Sequence, residues 1–136
     1  GDEGPDIYYA RRGSDGAWSS HQNISNNSSL SQNPQLAVGR SGAIHVVWQD
    51  CCATGNDDIY YSRRESGGIW STSQNISNNV DCSRDPRLAV DGNGIAHVIW
   101  QDYLTSYARR GSDGIWSTPQ NIAPADLVPR DTSPYP

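Results

Sequence analysis

Apolar and polar residues alternate over short segments of this chain, and turns rich in Gly, Asn and Ser separate the segments. The segment AIHVVWQD (43–50) places Ile44, Val46 and Trp48 at alternate positions, the period of two that indicates a β-strand. The apolar run QLAV (35–38) precedes it, and the intervening GRSG favours a hairpin turn because Gly tolerates positive φ. Because no segment carries the i, i+3, i+4 apolar stripe of a helix, the pattern predicts an all-β protein.

The whole pattern repeats along the chain at a spacing of 52 residues. Residues 6–50 align with residues 58–102, and 27 of the 45 aligned pairs are identical. A third copy begins near Tyr107, where YARRGSDGIWSTPQNI is similar to the segment that begins at Tyr9. Each full copy contains QLAV, AIHVVWQD, a third strand DIYYARR and a fourth strand AWSSHQNIS, or their equivalents. Four short antiparallel strands joined by hairpins in a repeat of about 50 residues are typical of a β-propeller blade.

The repeats divide the chain into about two and a half predicted blades, in which strand A is innermost and strand D outermost. The division gives a half blade with strands C and D (1–24), two full blades (25–76 and 77–122) and a Pro-rich extended tail (123–136). Blades bury their faces on one another, so this incomplete ring leaves apolar faces and a strand edge uncovered. We expect the ring to be completed by missing sequence of a longer chain or by other copies, as a homo-oligomer or filament joined through open blade edges.

The repeated motifs resemble the blades of bacterial secreted sialidase-like β-propellers. The turn S-D-G-x-W at Ser14–Trp18 and Ser112–Trp116 is similar to a shortened Asp-box, the Ser-x-Asp-x-Gly-x-x-Trp hairpin of that superfamily, and it is altered to ESGGIW at Glu65–Trp70. The similarity extends over residues 6 to about 122. It implies a propeller fold and an extracellular location, but such blades also occur in proteins without enzymatic activity.

The sialidase residues that the resemblance implies do not all have counterparts in this chain. Family sialidases use three arginines around the substrate carboxylate, a Tyr–Glu nucleophile pair and an Asp acid/base, and their first arginine lies in an Arg-Ile-Pro motif that is missing here. The tyrosines Tyr8, Tyr9, Tyr60 and Tyr61 recur as blade repeats, and the sequence offers no identifiable pair of carboxylates for glycoside hydrolysis. We therefore expect a protein that is not an enzyme, with a fragment of a sialidase-like glycoside hydrolase as the alternative.

The D–A and B–C loops of a propeller share one rim, which we expect to be the binding face. Its ligand-binding candidates are two Trp-Gln-Asp runs and one Arg-Asp pair: Trp48, Gln49, Asp50, Arg84, Asp85, Trp100, Gln101 and Asp102. Aromatic rings stack on the apolar faces of sugars, while amide and carboxylate groups bind hydroxyls, so these residues indicate a glycan ligand. The alternative is that they serve packing, because Trp fills the space between blades and Asp caps a turn.

The three cysteines, Cys51, Cys52 and Cys82, fall on the same predicted rim. A disulfide from Cys82 to Cys51 or Cys52, with one remaining thiol, is the simplest arrangement and suits an oxidising extracellular compartment. Three free thiols are the alternative. The disulfide would join consecutive blades and stabilise the fold by about 3 kcal/mol.

Charge and the remaining side chains exclude several classes of partner. His45 and His97 occupy equivalent strand positions without the ligand spacing of a metal site, so we expect hydrogen bonds between blades and neither metal nor cofactor. The net charge of −5 disfavours a nucleic-acid partner, and no stretch approaches the roughly 20 apolar residues of a membrane span. The predicted function is a non-catalytic extracellular module that binds a glycan or other surface ligand, or assembles with itself.

Overall fold

The computed structural model describes residues 5–27, 29–51, 57–78 and 82–122. These residues form strands and turns and contain no helix, which confirms the prediction of an all-β protein. The strands are β1 (Tyr8–Tyr9), β2 (Gln22–Asn23), β3 (Leu30–Val38), β4 (Ile44–Cys51), β5 (Asp57–Arg64), β6 (Gln74–Asn75), β7 (Arg84–Val90), β8 (Ala96–Gln101), β9 (Thr105–Arg110) and β10 (Gln120–Asn121).

The described strands form three antiparallel sheets. We call β1–β2 the N-terminal pair, β3–β4–β5–β6 the first sheet and β7–β8–β9–β10 the second sheet. Within each sheet every strand lies beside its neighbour in sequence, as hairpin connections require. The N-terminal pair lies within predicted segment 1–24, the first sheet within 25–76 and the second within 77–122, whereas the predicted tail (123–136) lies outside the described residues.

The first strand of both four-stranded sheets carries a bulge at the same repeat position. The register of β3 against β4, and that of β7 against β8, shifts at an Asn-Pro or Asp-Pro step. Asn33 and Asp85 adopt φ angles of 56° and 54°, in the left-handed region that Asn and Asp tolerate better than most residues. Pro34 and Pro86 follow them and have no N–H to donate, so the ladder is interrupted there. Both bulges line one cavity between β3 and β7.

The fourth strand of each repeat is shorter than the sequence predicts. The pattern predicts a strand over AWSSHQNIS (17–25) and its equivalents, yet β2, β6 and β10 each contain only 2 residues. Serine hydroxyls replace part of the ladder, since Ser71 Oγ accepts the Arg63 N–H and Ser77 Oγ accepts the Ile59 N–H, both at 3.0 Å. Hydrogen bonds from side chain to backbone compete with regular pairing, which accounts for the shortened strands.

Two apolar clusters fill the spaces between the stacked sheets. The cluster between the first and second sheets contains Val47, Ile59, Tyr61, Ile76, Val98, Trp100 and Ala108. The cluster between the N-terminal pair and the first sheet contains Ile7, Tyr9, Ile24, Val46 and Trp48. The first sheet is therefore covered on both faces at β4, whereas most residues of β3 are exposed. For this reason the adjacent residues Val46 and Val47, which point in opposite directions, are both buried.

Candidate functional site

The first Trp-Gln-Asp run lies at the end of β4, where strand alternation separates its members. Trp48 and Asp50 point to the face that packs on the N-terminal pair, and the Trp48 Nε1–H donates to Asp50 Oδ1 at 2.8 Å. Trp48 is 0% exposed, so its ring lies inside the molecule and offers no face to a sugar. The equivalent Trp100 is 1% exposed and packs between the two sheets. Both rings occupy the packing positions that the sequence left as the alternative.

Asp50 is a buried carboxylate that joins three segments of the chain. It accepts hydrogen bonds from Ser31 Oγ at 2.5 Å, from the Trp48 indole at 2.8 Å and from Asn27 Nδ2 at 2.8 Å. Burial raises the pKa of Asp50, while the hydrogen bonds from Ser31, Asn27 and Trp48 act against that rise because they favour the charged form. The carboxylate thus connects the segment that follows β2 to β3 and β4.

The second sheet holds its equivalent carboxylate differently. Asp102 accepts a hydrogen bond from Ser83 Oγ at 2.6 Å, as Asp50 does from Ser31 Oγ. A second hydroxyl, Ser106 Oγ, also donates a hydrogen bond to Asp102, at 2.7 Å. Within the described residues the buried Nε1–H of Trp100 has no hydrogen-bond partner, in contrast to the indole of Trp48. The two Trp-Gln-Asp runs therefore share a sequence but not a hydrogen-bond pattern.

Gln49 points to the opposite face of β4 and clamps the two sheets together. Its Oε1 accepts Asn33 Nδ2 at 3.0 Å and the backbone N–H of Asp85 at 3.1 Å, and its Nε2 donates to Asp57 Oδ2 at 3.0 Å. Since Asp85 belongs to β7, this amide joins the first sheet to the second. Arg84 lies nearby, with its guanidinium 4.0 Å from Asp57 Oδ2. Sequence reasoning missed Asn33, whose signal was its position before Pro in the repeat, equivalent to that of Asp85.

An open cavity of about 680 Å³ lies beside this clamp, between the bulges of β3 and β7. Its polar lining comes from Asn33, Asp85, Arg87, Gln101 and Thr105. Gln101 is exposed here and donates to Thr105 Oγ1 at 3.4 Å, whereas its equivalent Gln49 is buried in the clamp. The cavity brings together the predicted residues Asp85, Trp100 and Gln101. Ligand binding by the predicted set stays a prediction, with Arg84, Asp85 and Gln101 as its exposed members.

His45 is held within the first sheet. Its Nδ1 lies 2.8 Å from the hydroxyl of Tyr61 on the adjacent strand, so the hydrogen bond forms inside one sheet, not between sheets as the sequence suggested. Burial, followed by the nearby guanidinium groups of Arg63 and Arg110, lowers the pKa of His45 from 6.5 to about 4. The imidazole is therefore neutral at pH 7.

His97 also contacts a tyrosine hydroxyl, but its side chain is more exposed than that of His45. Its Nδ1 lies 2.8 Å from the Tyr107 hydroxyl, and its Nε2 lies 2.9 Å from Asp91 Oδ2. The hydrogen bond from His97 lowers the pKa of the Asp91 carboxyl. Within the ranges that the structure describes, no three His, Cys, Asp or Glu side chains are grouped as metal ligands.

The predicted disulfide lies only partly in the described residues. Cys51 ends β4 and pairs in register with Asp57, whose carbonyl accepts the N–H of Ser83 at 2.8 Å. Cys82 precedes Ser83 and is therefore close to the end of β4, and both cysteines are partly buried. Cys52 is outside the described residues, so the choice between Cys51 and Cys52 stays a prediction.

Comparison of the sequence with protein-family models found no match, and comparison with curated proteins found none. In the described part of the chain no helix has the length and apolar character that crossing a membrane requires. The resemblance to sialidase-like blades therefore stays a prediction based on the repeated motifs.

Proposed function

We propose that this chain is a run of β-propeller blades that acts as a non-catalytic interaction module, in which the stacking of sheets provides the means of assembly. The proposal depends on a difference in burial between equivalent faces of the two four-stranded sheets. The first sheet buries the face that carries Val47, whereas the second sheet leaves the equivalent face, which carries Ile99, open within the described residues.

The difference between the two faces is measurable at equivalent positions. Val47 is 0% exposed beneath the second sheet, and its equivalent Ile99 is 38% exposed. Ile76 and its equivalent Ile122 differ in the same way, at 5% and 39%. Burial of apolar area stabilises a contact by about 25 cal/mol per Å². A further sheet placed on the open face would therefore gain what the second sheet gains on the first.

The way in which the sheets meet supports propeller packing. The second sheet approaches the first mainly through β7, which lies against β3, β4 and β5. Strand order within each sheet runs from β3 or β7 at one edge to the two-residue strands β6 or β10 at the other. Blades stacked around their first strands, with short outer strands, are the arrangement of a propeller.

The contacts of the predicted site residues support a non-catalytic role. Asp50 is committed to three structural donors, and both ends of the Gln49 amide are occupied, one by Asp57 in its own sheet and the other by the Asp85 N–H of the second sheet. Groups held this way stabilise packing and are poorly placed to exchange protons with a substrate. The predicted extracellular location belongs to the same proposal, which draws on the cysteine content and on the sialidase-like motifs.

A second candidate function, the binding of a glycan, is favoured by the cavity between β3 and β7. Arg87 and Gln101 offer donors, Asp85 offers acceptors, and Ile99 offers an apolar surface, the combination that a polyhydroxylated ring requires. Glycan-array binding by the purified chain, reduced in an Arg87→Ala variant, would support this candidate. Equal binding by the variant would contradict a site in this cavity.

Light scattering after size-exclusion chromatography tests the assembly function. We expect a mass above the 14.9 kDa of one chain, and a rise in mass with concentration. A mass that stays at 14.9 kDa at every concentration would contradict the proposal. The same sample should be assayed with a fluorogenic sialoside, because hydrolysis above the blank would favour the sialidase-like glycoside hydrolase over a non-catalytic module.

A further inference from the structure

Both sheet junctions inside the chain contain the same aromatic contact. At the junction of the N-terminal pair with the first sheet, the ring of Trp70 meets Tyr9 edge to face, with a centroid distance of 5.0 Å and an interplanar angle of 73°. At the junction of the two sheets, Trp116 meets Tyr61 at 4.8 Å and 73°. In each case the preceding unit supplies the tyrosine and the following unit supplies the tryptophan. Such edge-to-face pairs stabilise a contact beyond the area that they bury.

An arginine accompanies each tryptophan. The guanidinium carbon of Arg64 lies 5.7 Å from the ring centroid of Tyr9, and that of Arg110 lies 6.0 Å from the centroid of Tyr61. These distances are within cation–π range. Arg64 also forms a β-bridge with Trp70, as Arg110 does with Trp116, so one hairpin presents both groups to the preceding tyrosine.

The N-terminal pair and the second sheet each carry one half of this contact without its counterpart among the described residues. The N-terminal pair has the same hairpin, because Arg12 forms a β-bridge with Trp18 and Gly16 has φ of 85°, as Gly114 has beside Trp116. Trp18 is 67% exposed and makes no ring contact within the described residues. Tyr107 lies on the open face of the second sheet, opposite Ile99 in register, where no Trp or Arg of the described residues covers it.

We infer that a second copy of this chain docks head to tail, with Trp18 and Arg12 of one copy placed on Tyr107 of the next. The inference rests on the proposed function and names its partner and contact. A second copy is the occupant because its exposed hairpin with Arg12 and Trp18 is the repeat equivalent of the two hairpins that cover Tyr9 and Tyr61 within the chain. Such a contact joins two different surfaces, so it propagates into a closed ring or a filament.

The docked arrangement also predicts which part of the second sheet's open face remains accessible. The described part of the N-terminal pair contains only the two-residue strands β1 and β2, so it covers the outer half of the open face, around Tyr107 and Ile122. The exposed ring of Tyr8 lies on β1 beside the docking hairpin and adds apolar area. The cavity near Arg87 and Gln101 lies at the inner half and remains accessible between copies.

Two alanine variants and two control variants test the contact. Trp18→Ala and Tyr107→Ala should each raise the concentration at which half of the chain is assembled by about 30-fold, the effect of losing one aromatic anchor in an interface. Tyr103→Ala is the matched control, because Tyr103 is an aromatic residue that is 90% exposed and lies outside the docking surfaces. Tyr107→Phe, which retains the ring, should assemble like the unmodified chain. Circular dichroism confirms that every variant is folded.

Mixing the two alanine variants distinguishes this contact from other modes of association. A Trp18→Ala copy retains Tyr107 and a Tyr107→Ala copy retains Trp18, so an equimolar mixture should form one intact contact and stop at a dimer. Assembly that is equally strong in both alanine variants would overturn the docking mode while leaving the proposed function in place. An unmodified chain that remains monomeric at every concentration would overturn both, and would assign the open face to another protein or to further sequence.

Discussion

The hydroxyl of Tyr61 lies 2.8 Å from Nδ1 of His45, and both side chains are almost completely buried where the two four-stranded sheets meet. Burial away from water, and then the neighbouring guanidinium groups of Arg63 and Arg110, keep the imidazole neutral, with its pKa lowered from 6.5 to about 4. Stacking of the sheets therefore makes the stability of the fold dependent on the charge state of one histidine.

Acid should destabilise the protein between pH 6.5 and 4 through His45. Because its pKa is about 4 in the folded chain and 6.5 in the unfolded chain, the unfolded chain binds the proton first as the pH falls. The contribution is fully present above pH 6.5 and decreases by about 3 kcal/mol by pH 4, at 1.36 kcal/mol per unit. Urea unfolding at a series of pH values measures the free energy of unfolding directly.

The variant His45→Gln separates this histidine from the carboxylates that titrate in the same range. The free energy of unfolding of the variant should depend less steeply on pH between 6.5 and 4. His21→Gln is the control, since it makes the same substitution at an exposed histidine. Equal slopes for His45→Gln and the unmodified chain would show that His45 does not account for the acid sensitivity.

Gln49→Ala should destabilise the fold by about 2–3 kcal/mol, whereas Gln101→Ala should change the free energy of unfolding by less than about 0.5 kcal/mol. Removal of the Gln49 amide breaks three hydrogen bonds at the junction, which join it to the Asn33 amide, the Asp85 N–H and the Asp57 carboxylate. Gln101 is exposed in the equivalent position. Urea unfolding of both variants provides the measurement, and similar losses for the two would contradict a clamp at Gln49.

Trp48→Phe should cost about 1–2 kcal/mol more than Trp100→Phe, although the two residues are repeat equivalents with similar burial. The Trp48 indole donates to buried Asp50 at 2.8 Å, so its loss leaves an acceptor without that donor. The Trp100 indole has no partner within the described residues, and its replacement removes an unsatisfied donor. Thermal or urea unfolding compares the two, and a larger loss for Trp100→Phe would contradict this assignment.

Alkylation under non-reducing conditions should modify one cysteine, and alkylation after reduction should modify three. The sequence predicts a bond from Cys82 to Cys51 or Cys52, and Cys82 lies close to the end of β4 that carries Cys51. Mass spectrometry counts the modified thiols, and peptide mapping identifies the bonded pair. Three thiols alkylated without reduction would exclude the disulfide.

The all-β class and the strand positions could be predicted because they depend on local patterns. The period of two in AIHVVWQD predicted β4, and Gly-containing turns predicted the hairpins, with Gly42 and Gly94 at φ of 92° and 83°. The length of the outer strands could not be predicted, since the pattern does not reveal that Ser71 and Ser77 bind the backbone in place of ladder partners.

The candidate site was harder to predict because its residues act across sheets. The motif Trp-Gln-Asp indicated a ligand-binding set, yet burial of Trp48 and Trp100 directs their rings into the core. Asn33 was missed because its importance depends on Gln49, which lies on the next strand and also reaches Asp85 on the second sheet. Contacts of this kind depend on register and stacking, which a single segment does not encode.

The amino-acid sequence by itself determined the repeat, the antiparallel hairpins and the equivalence of Gln49 with Gln101, because turn chemistry and side-chain alternation act within a few residues. Only the tertiary structure decided that Gln49 is buried in a clamp between sheets and that Gln101 is exposed beside a cavity. The physical reason is that two similar segments experience different surroundings. A neighbouring sheet covers the first segment, and the second is open within the described residues.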